Sequence, residues 1–358
     1  MTNESLVGRG SLLAPPNRFE RVRVVPDDDA AVPPDEWEAD ERGLRTEFFV
    51  DASKSIVSEN DSPDVGFRYS VNPYRGCEHG CAYCYARPTH EYLGLNAGID
   101  FESKVFVKER APELFREWLA RRKREAEVVV FSGVTDCYQP AERRFRLTRR
   151  CLEVALEARQ PVAIITKNAL VVRDLDVLAK MAESRLVCVS ISVTTLDASL
   201  ARSLEPRTSP PRSRLEAIRK LSAAGVPTRA MLAPIIPGLN DSEIPALLKA
   251  VAEAGAETAH YVLLRLPLSV RPVFQEWLAR ERPEARSRVE SRIRSARGGE
   301  LNDPRFGTRM KGEGPLAEQI ARTFHVFARR HGLGEQTTAL DASQFRRPTG
   351  PAGQGWLF

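Results

Sequence analysis

Six apolar runs of strand length, each followed by a helical stretch, constrain this chain more than any other feature. The runs lie near 68–74, 128–133, 162–166, 186–193, 227–233 and 260–265, with helical stretches near 111–125, 141–158, 172–183, 211–224 and 241–254. Val128-Val-Val-Phe-Ser-Gly, Val162-Ala-Ile-Ile-Thr and Leu186-Val-Cys-Val-Ser-Ile-Ser-Val are nearly continuous in apolar residues, the pattern of strands covered on both faces. Gly225 stops the fourth helical stretch, and Asp241-Ser-Glu opens the fifth with a cap and an acidic first turn. Six such units predict an α/β fold with a parallel sheet, an open, partial (β/α)6 barrel over residues 67–265. In folds of this kind the reactive groups gather at the C-terminal ends of the strands.

Just after the first run comes Asn72-Pro-Tyr-Arg-Gly-Cys77-Glu-His-Gly-Cys81-Ala-Tyr-Cys84-Tyr. Thiolates this close in sequence usually share a metal or a cluster. The number three is informative, because a structural zinc site or an electron-carrying cluster needs four protein ligands. Three thiolates on a four-iron cluster leave one iron open for a substrate or cosubstrate. Two non-catalytic alternatives stand beside this one. His79 or His90 could complete a Cys3His zinc site, and the cluster could belong to an electron-transfer or regulatory protein.

The other strand ends are polar or glycine-rich. Ser132-Gly-Val-Thr135-Asp136-Cys137 follows the second run and offers groups for an ammonium or hydroxyl. Lys167 ends the third run, where a compact cation suits a carboxylate or a ribose hydroxyl. Ser190 and Ser192 lie two apart on the fourth and so share a face. Glu205 and Arg207, in Glu205-Pro-Arg207-Thr-Ser-Pro, form a candidate pair around a charged cosubstrate. After the fifth run, Ala233-Pro234-Ile235-Ile-Pro237-Gly238 is expected to interrupt the ladder and free backbone groups to read an adenine edge. Tyr83 is placed to stack on the same ring.

Taken together, the cysteine spacing, Thr135-Asp136, Thr166-Lys167, Ser190-Ile-Ser192, Glu205-Pro-Arg207 and Ala233-Pro-Ile-Ile-Pro-Gly resemble the radical S-adenosylmethionine (SAM) superfamily. Within it they are most similar to the spore photoproduct lyase-like branch, related to DNA repair photolyases. The resemblance covers about residues 67–265. It implies a [4Fe-4S] cluster on Cys77, Cys81 and Cys84, with SAM chelated to the open iron. An electron from an external donor of flavodoxin or ferredoxin type then yields a 5′-deoxyadenosyl radical that abstracts hydrogen from a substrate. It further implies that the 132–136 segment holds the SAM amino group, and that Lys167, Ser190 and Ser192 contact its carboxylate and ribose with Glu205 and Arg207 nearby. One departure stands out. The branch uses a cysteine in the strand-two segment to return hydrogen to the product radical, whereas this chain has Gly133 at the corresponding place. Cys137 is the neighbouring candidate hydrogen donor. Nucleic acid is the substrate class the resemblance suggests.

Outside 67–265 the alternation stops. Residues 1–66 read as an extension, partly disordered, with Thr46-Glu-Phe-Phe-Val50 as a short strand laid on the main domain. Helical patterns near 270–296 and 314–331 suggest a cap over 266–332, with Phe324, Val326 and Phe327 on the apolar side of the last helix. Residues 333–358 read as a mobile tail. Hydrophobic content of 42% with 28% charged residues excludes a disordered or membrane chain. No run approaches the roughly 18 apolar residues of a membrane span, and Met1-Thr-Asn-Glu-Ser has no secretory pattern, so a cytoplasmic protein is expected. The net charge of +5 permits a polyanionic partner. The run of arginines between Arg280 and Arg297, interleaved with Glu281, Glu284 and Glu290, reads as a solvated helical face.

Overall fold

The computed structural model describes residues 9–19, 44–121, 126–335 and 338–348. Its strands are β1 (Glu47–Val50), β2 (Val57–Glu59), β3 (Tyr69–Val71), β4 (Tyr74–Arg75), β5 (Lys104–Val107), β6 (Val129–Phe131), β7 (Val162–Thr166), β8 (Val187–Ser192), β9 (Thr228–Ile235) and β10 (Thr258–Leu263). The helices are α1 (Ile99–Ser103), α2 (Ala111–Ala120), α3 (Glu142–Phe145), α4 (Leu147–Glu157), α5 (Leu175–Glu183), α6 (Ala198–Leu204), α7 (Pro211–Ala223), α8 (Ile244–Glu253), α9 (Val270–Glu281), α10 (Arg286–Ser295) and α11 (Pro315–Arg330).

The main sheet has seven strands in the order β10-β9-β8-β7-β6-β3-β2. From β3 through β10 every neighbouring pair is parallel, and β2 closes one edge antiparallel to β3. The six expected units are therefore present, in an open arrangement. The segment between β2 and β3 meets the loop after α10, where Asp64 accepts hydrogen bonds from Gly307 N at 2.7 Å and Arg309 Nε at 2.5 Å. These bonds tie the β2 side of the sheet to the β10 side. A second, three-stranded sheet, β1-β5-β4, includes the strand expected at 46–50.

The two faces of the main sheet differ sharply. Val71, Phe131, Ile164 and Val189 are registered neighbours across β3, β6, β7 and β8, and all lie in the principal core beneath the helices. The opposite face carries Ser70, Val130, Ala163 and Cys188 in one row. Above it come Ile165, Ser190, Arg229 and Thr258, then Ser192, Met231 and His260. Side-chain alternation thus builds one apolar face and one of mixed character that carries the polar residues. The polar face and the C-terminal strand ends are the surfaces left for chemistry.

Three local features differ from the sequence expectation. The helix expected over 141–158 is two helices, because Arg146 is left-handed at φ 51° and the Glu142 carboxylate accepts from Thr148 N at 3.1 Å at the start of α4. Strand β9 runs on through Pro234 to Ile235, two residues past the expected end. The missing proline N–H is accommodated where the β9–β10 register shifts, between Tyr261 and Leu263. Third, Val326 is 53% exposed while Ala317, Ile320, Phe324 and Ala328 are buried. At 100° per residue, Val326 sits about 200° around α11 from Phe324.

The C-terminal helices cover two places. α9 and α10 pack Phe274, Trp277, Val289 and Ile293 into a second core that contains Cys81, Ala82 and Tyr83. α11 lies along α8, with Phe324 4.7 Å from the Tyr261 ring. Residues 338–348 are fastened down rather than loose: Gln344 bonds Arg159 and Ser184 O, and Arg346 N donates to Ala158 O at 2.8 Å. The terminal Trp356-Leu-Phe358 and nearly half of the N-terminal extension, residues 1–8 and 20–43, lie outside the described residues.

Truncating Phe324 should therefore be costly and truncating Val326 should not. Phe324→Ala is expected to lower the unfolding free energy by about 3 kcal/mol, and Val326→Ala by less than about 0.5 kcal/mol. Denaturant titration of the two variants checks this, and equal costs would contradict the packing described.

Candidate active site

The cysteine loop begins where β4 ends. Gly76 and Gly80 adopt left-handed backbone at φ 79° and 65°, which only glycine does without strain. Gly76 also has no room for a side chain, because a Cβ there would lie 2.8 Å from Lys104 O. Cys77 N donates to Phe101 O at 2.9 Å, and Ala82 N to Leu204 O at 3.0 Å. Beneath the loop, the fully buried Arg87 donates to Cys81 O at 2.8 Å, Ala97 O at 3.1 Å and Gly98 O at 3.0 Å. The same guanidinium pairs with the fully buried Glu102. Glu102 in turn accepts from the backbone of an N-terminal strap: Arg9 N at 2.6 Å, Gly10 N at 3.0 Å and Ser11 N at 3.0 Å. The strap lies so close that a Cβ on Gly10 would sit 1.9 Å from Gly80 O.

All six cysteines of the chain are free thiols, and Cys77 and Cys81 are buried while Cys84 is partly open. Burial raises the pKa of each of the three loop thiols above the ordinary value. Cys84 adds to the rise at Cys77, and Glu205 adds to it at Cys81. Such thiols ionise when a metal supplies the missing positive charge. Backbone donors already point at two sulfurs: His79 and Asp136 N–H at Cys77, and Ala86 N–H at Cys84. Hydrogen bonds to sulfur are a means of tuning an iron–sulfur cluster, so this donor set fits one.

A zinc site fits poorly. His79 lies 3.5 Å from Asp136 and 3.2 Å from Asn168 Nδ2, and burial pushes its imidazole down to about 4. His90 Nε2 is 2.9 Å from Lys104 O, with its ring against Phe101 and Phe106. His79 is thus occupied at both ring nitrogens, whereas His90 uses Nε2 and leaves Nδ1 buried without a hydrogen-bond partner. Among the described residues no group of three or more His, Cys, Asp or Glu is arranged to hold a single metal ion.

The residues singled out at the strand ends fall into two groups. Those of the first group spend their polar atoms inside the protein. Thr135 Oγ1 donates to Tyr74 O at 2.7 Å. Asp136 accepts from Thr166 Oγ1, Lys167 N and Tyr138 N, each at 2.8 Å, and so clamps the ends of β6 and β7 together. Glu205 does not pair with Arg207. It is held by Arg214 at 2.5 Å, Thr194 Oγ1 at 2.7 Å and the Tyr83 hydroxyl. Burial would raise the Glu205 carboxyl, but Arg214 and Lys167 outweigh it and keep the group below its ordinary value. Arg207 bonds Glu78 instead, at 3.0 Å. The expected free carbonyls after β9 are also taken: Pro234 O accepts from Asn240 Nδ2 at 3.1 Å and Ile235 O from Leu264 N at 2.9 Å.

The second group is open. The hydroxyls of Ser190 and Ser192, on the polar face of β8, make no hydrogen bond among the described residues, although both residues are buried. Among the described residues the Lys167 ammonium makes no salt bridge; it lies 5.7 Å from the centre of the Tyr83 ring, near Cys81, Cys84 and Glu205. Cys137 stands apart from both groups. It is wholly buried in the principal core, with its backbone N–H on Ser132 Oγ and its carbonyl on Thr148 Oγ1. Sequence reasoning missed Arg87, Glu102, Arg214 and Asn240. Arg214 sits in the first turn of α7, where a charge ordinarily marks a solvated face, and the others have no spacing signal.

Comparison with known proteins agrees with this geometry. The family model described as "Radical SAM superfamily" matches residues 71–251. An uncharacterized protein of Mycobacterium tuberculosis is 40% identical over 230 residues, covering 64% of this chain and 68% of that protein. An uncharacterized protein of Methanocaldococcus jannaschii is 30% identical over 236 residues, covering 66% of this chain and 83% of that protein. Among solved structures, a mutant spore photoproduct lyase superposes with TM-score 0.58 at 18% identity over 79% of each chain. Another, with bound AdoMet and dinucleoside spore photoproduct, gives 0.57 at 17% identity over 79% of this chain and 78% of that one. These two likenesses establish the fold.

The strap and the buried pair make a prediction of their own. Glu102→Gln leaves Arg87 charged and buried without its carboxylate, which should cost about 3 kcal/mol in denaturant unfolding and lower the iron retained on reconstitution. Gly10→Ala should release the strap, read as faster proteolysis near residues 9–19. A Glu102→Gln protein with wild-type stability and iron content would contradict the arrangement.

Proposed function

Because the chain belongs to the radical SAM superfamily, we propose that Cys77, Cys81 and Cys84 hold a [4Fe-4S] cluster whose fourth iron is left for SAM. The observation that carries this reading is the set of three free thiols on one loop at the C-terminal strand edge, two of them buried and Cys84 partly open. Bound there, a cluster would provide one-electron chemistry, reductive cleavage of SAM to methionine and a hydrogen-abstracting 5′-deoxyadenosyl radical, given an external flavodoxin- or ferredoxin-type donor.

The chain's own residues bind, orient and seclude. Lys167 carries the free charge for the SAM carboxylate, and Ser190 and Ser192 offer the unbonded hydroxyls for its ribose. Thr135 and Asp136 shape the amino-group side through the backbone they hold rather than by free side chains. The Tyr83–Glu205–Arg214 network, with Arg207 on Glu78, keeps the loop and the end of β8 in register. The second core, supplied by α9 and α10, shields the Cys81–Tyr83 side from water.

The substrate class favoured is a nucleic acid. A protein of like fold binds dinucleoside spore photoproduct, and the net charge of +5 suits a polyanion. The reaction need not repeat the lyase's. Gly133 stands where a hydrogen-returning thiol is expected, a Cβ there would lie 2.8 Å from Ser70 Cβ, and Cys137 is enclosed in the core.

Anaerobically reconstituted protein given dithionite and SAM should release 5′-deoxyadenosine and methionine. Lys167→Ala should keep the cluster absorbance while weakening SAM binding about tenfold or more, whereas Cys81→Ala should lose absorbance and product together. An intact cluster that yields no 5′-deoxyadenosine would place the chain among electron-transfer or regulatory iron–sulfur proteins.

A further inference from the structure

Arg265 follows β10 by two residues, at the same edge of the sheet as the cysteine loop. Its guanidinium carbon lies 5.9 Å from the centre of the Tyr85 ring, and Tyr85 directly follows Cys84. Tyr85 is 49% exposed, and its hydroxyl donates to Gly133 O at 2.9 Å. Arg265 itself is only partly exposed. Its Nε is buried with no hydrogen-bond partner, and its Nη1 meets only the thioether of Met310 at 3.6 Å.

The charges around it are already assigned. Asp64 holds Arg309. Asp303 and Glu313 both hold Arg305, and Asp303 also accepts from Thr308 Oγ1 at 2.6 Å. Arg297 is spent on the carbonyls of Leu263, Leu264 and Arg309. Among the described residues no carboxylate is left for Arg265. Burial, with repulsion from Arg309, pushes its guanidinium below the ordinary value. A desolvated cation without a counter-charge is unfavourable, and the ring face of Tyr85 offsets only part of that cost.

We infer that Arg265 is a substrate-binding residue that receives an anionic group, phosphate or carboxylate, held beside the Tyr85 ring across from the cysteine loop. The guanidinium offers a planar fork suited to either oxyanion. Lys167, Ser190 and Ser192 lie on other strand ends, so Arg265 is assigned to the substrate rather than to SAM. The inference rests on the reading that this edge is the reactive one.

Two titrations of the reconstituted protein test it, one with inorganic phosphate and one with acetate, followed by the NMR signal of the Arg265 Nε–H assigned with Arg265→Lys. A saturable shift with one or both anions is expected, with phosphate alone indicating a phosphorylated substrate and acetate alone a carboxylate. Arg265→Gln should weaken anion binding about tenfold or more, and Arg265→Lys, which keeps the charge and loses the fork, should fall between. The Lys variant also serves if removal of the cation unsettles the end of β10. SAM binding is measured by equilibrium dialysis in parallel. No saturable shift with either anion, an unchanged affinity in Arg265→Gln, or loss of SAM binding in that variant would overturn the assignment. Wild-type protein that fails to bind SAM would instead overturn the functional reading on which it rests.

Discussion

The ion pair between Arg87 and Glu102 governs the site more than any other contact, because it is where the cysteine loop is held from below. Both side chains are fully buried. A buried pair is weak evidence for stability, since desolvating two charges can cost as much as their attraction returns. What this pair does supply is geometry. Arg87 fixes the carbonyls of Cys81, Ala97 and Gly98, and Glu102 collects three successive strap amides. The guanidinium nitrogens of Arg87 and both carboxylate oxygens of Glu102 are all met, which fixes the loop to its supports. A set of three thiols that must accept a cluster needs that kind of preorganisation.

A second buried network does the same on the opposite side of the loop. Arg214 reaches from α7 to the Ser192 carbonyl at 3.0 Å, to Ser209 O at 2.6 Å and to Glu205, which holds the Tyr83 hydroxyl. Between the two networks, the cysteine loop is referred to α1, α7 and β8 at once. Lys167, Ser190, Ser192 and Arg265 are left out of both networks, and they are the groups we propose to meet a ligand. Spending most polar atoms internally makes the few unspent ones informative.

The sequence made the six parallel strands legible because strands buried on both faces read as continuous apolar runs, and Val162–Thr166 is found at its expected limits. Short elements left no such trace. β2 and β5 have three and four residues, and α6 has seven residues opened by the Asp197 cap, too few for a period to show. The three loop cysteines carried their own spacing signal, but their supports did not. Arg9-Gly-Ser11 has no pattern, yet it is fixed by a carboxylate more than ninety residues away. The arginine-rich run was read as solvated, and Arg280, Arg286 and Arg292 do pair with acids near the surface, whereas Arg297 is buried on backbone carbonyls. A guanidinium in solvent and one in the interior look alike in sequence. Only tertiary placement separates them.

The central claim is that three cysteines hold a cluster with one metal position reserved for SAM. Electron paramagnetic resonance of the dithionite-reduced protein, recorded before and after saturating SAM, tests this most directly. Binding of SAM at an open iron predicts a change in the g-values of the reduced cluster. A spectrum identical with and without SAM, from protein shown by dialysis to have bound it, would contradict the account.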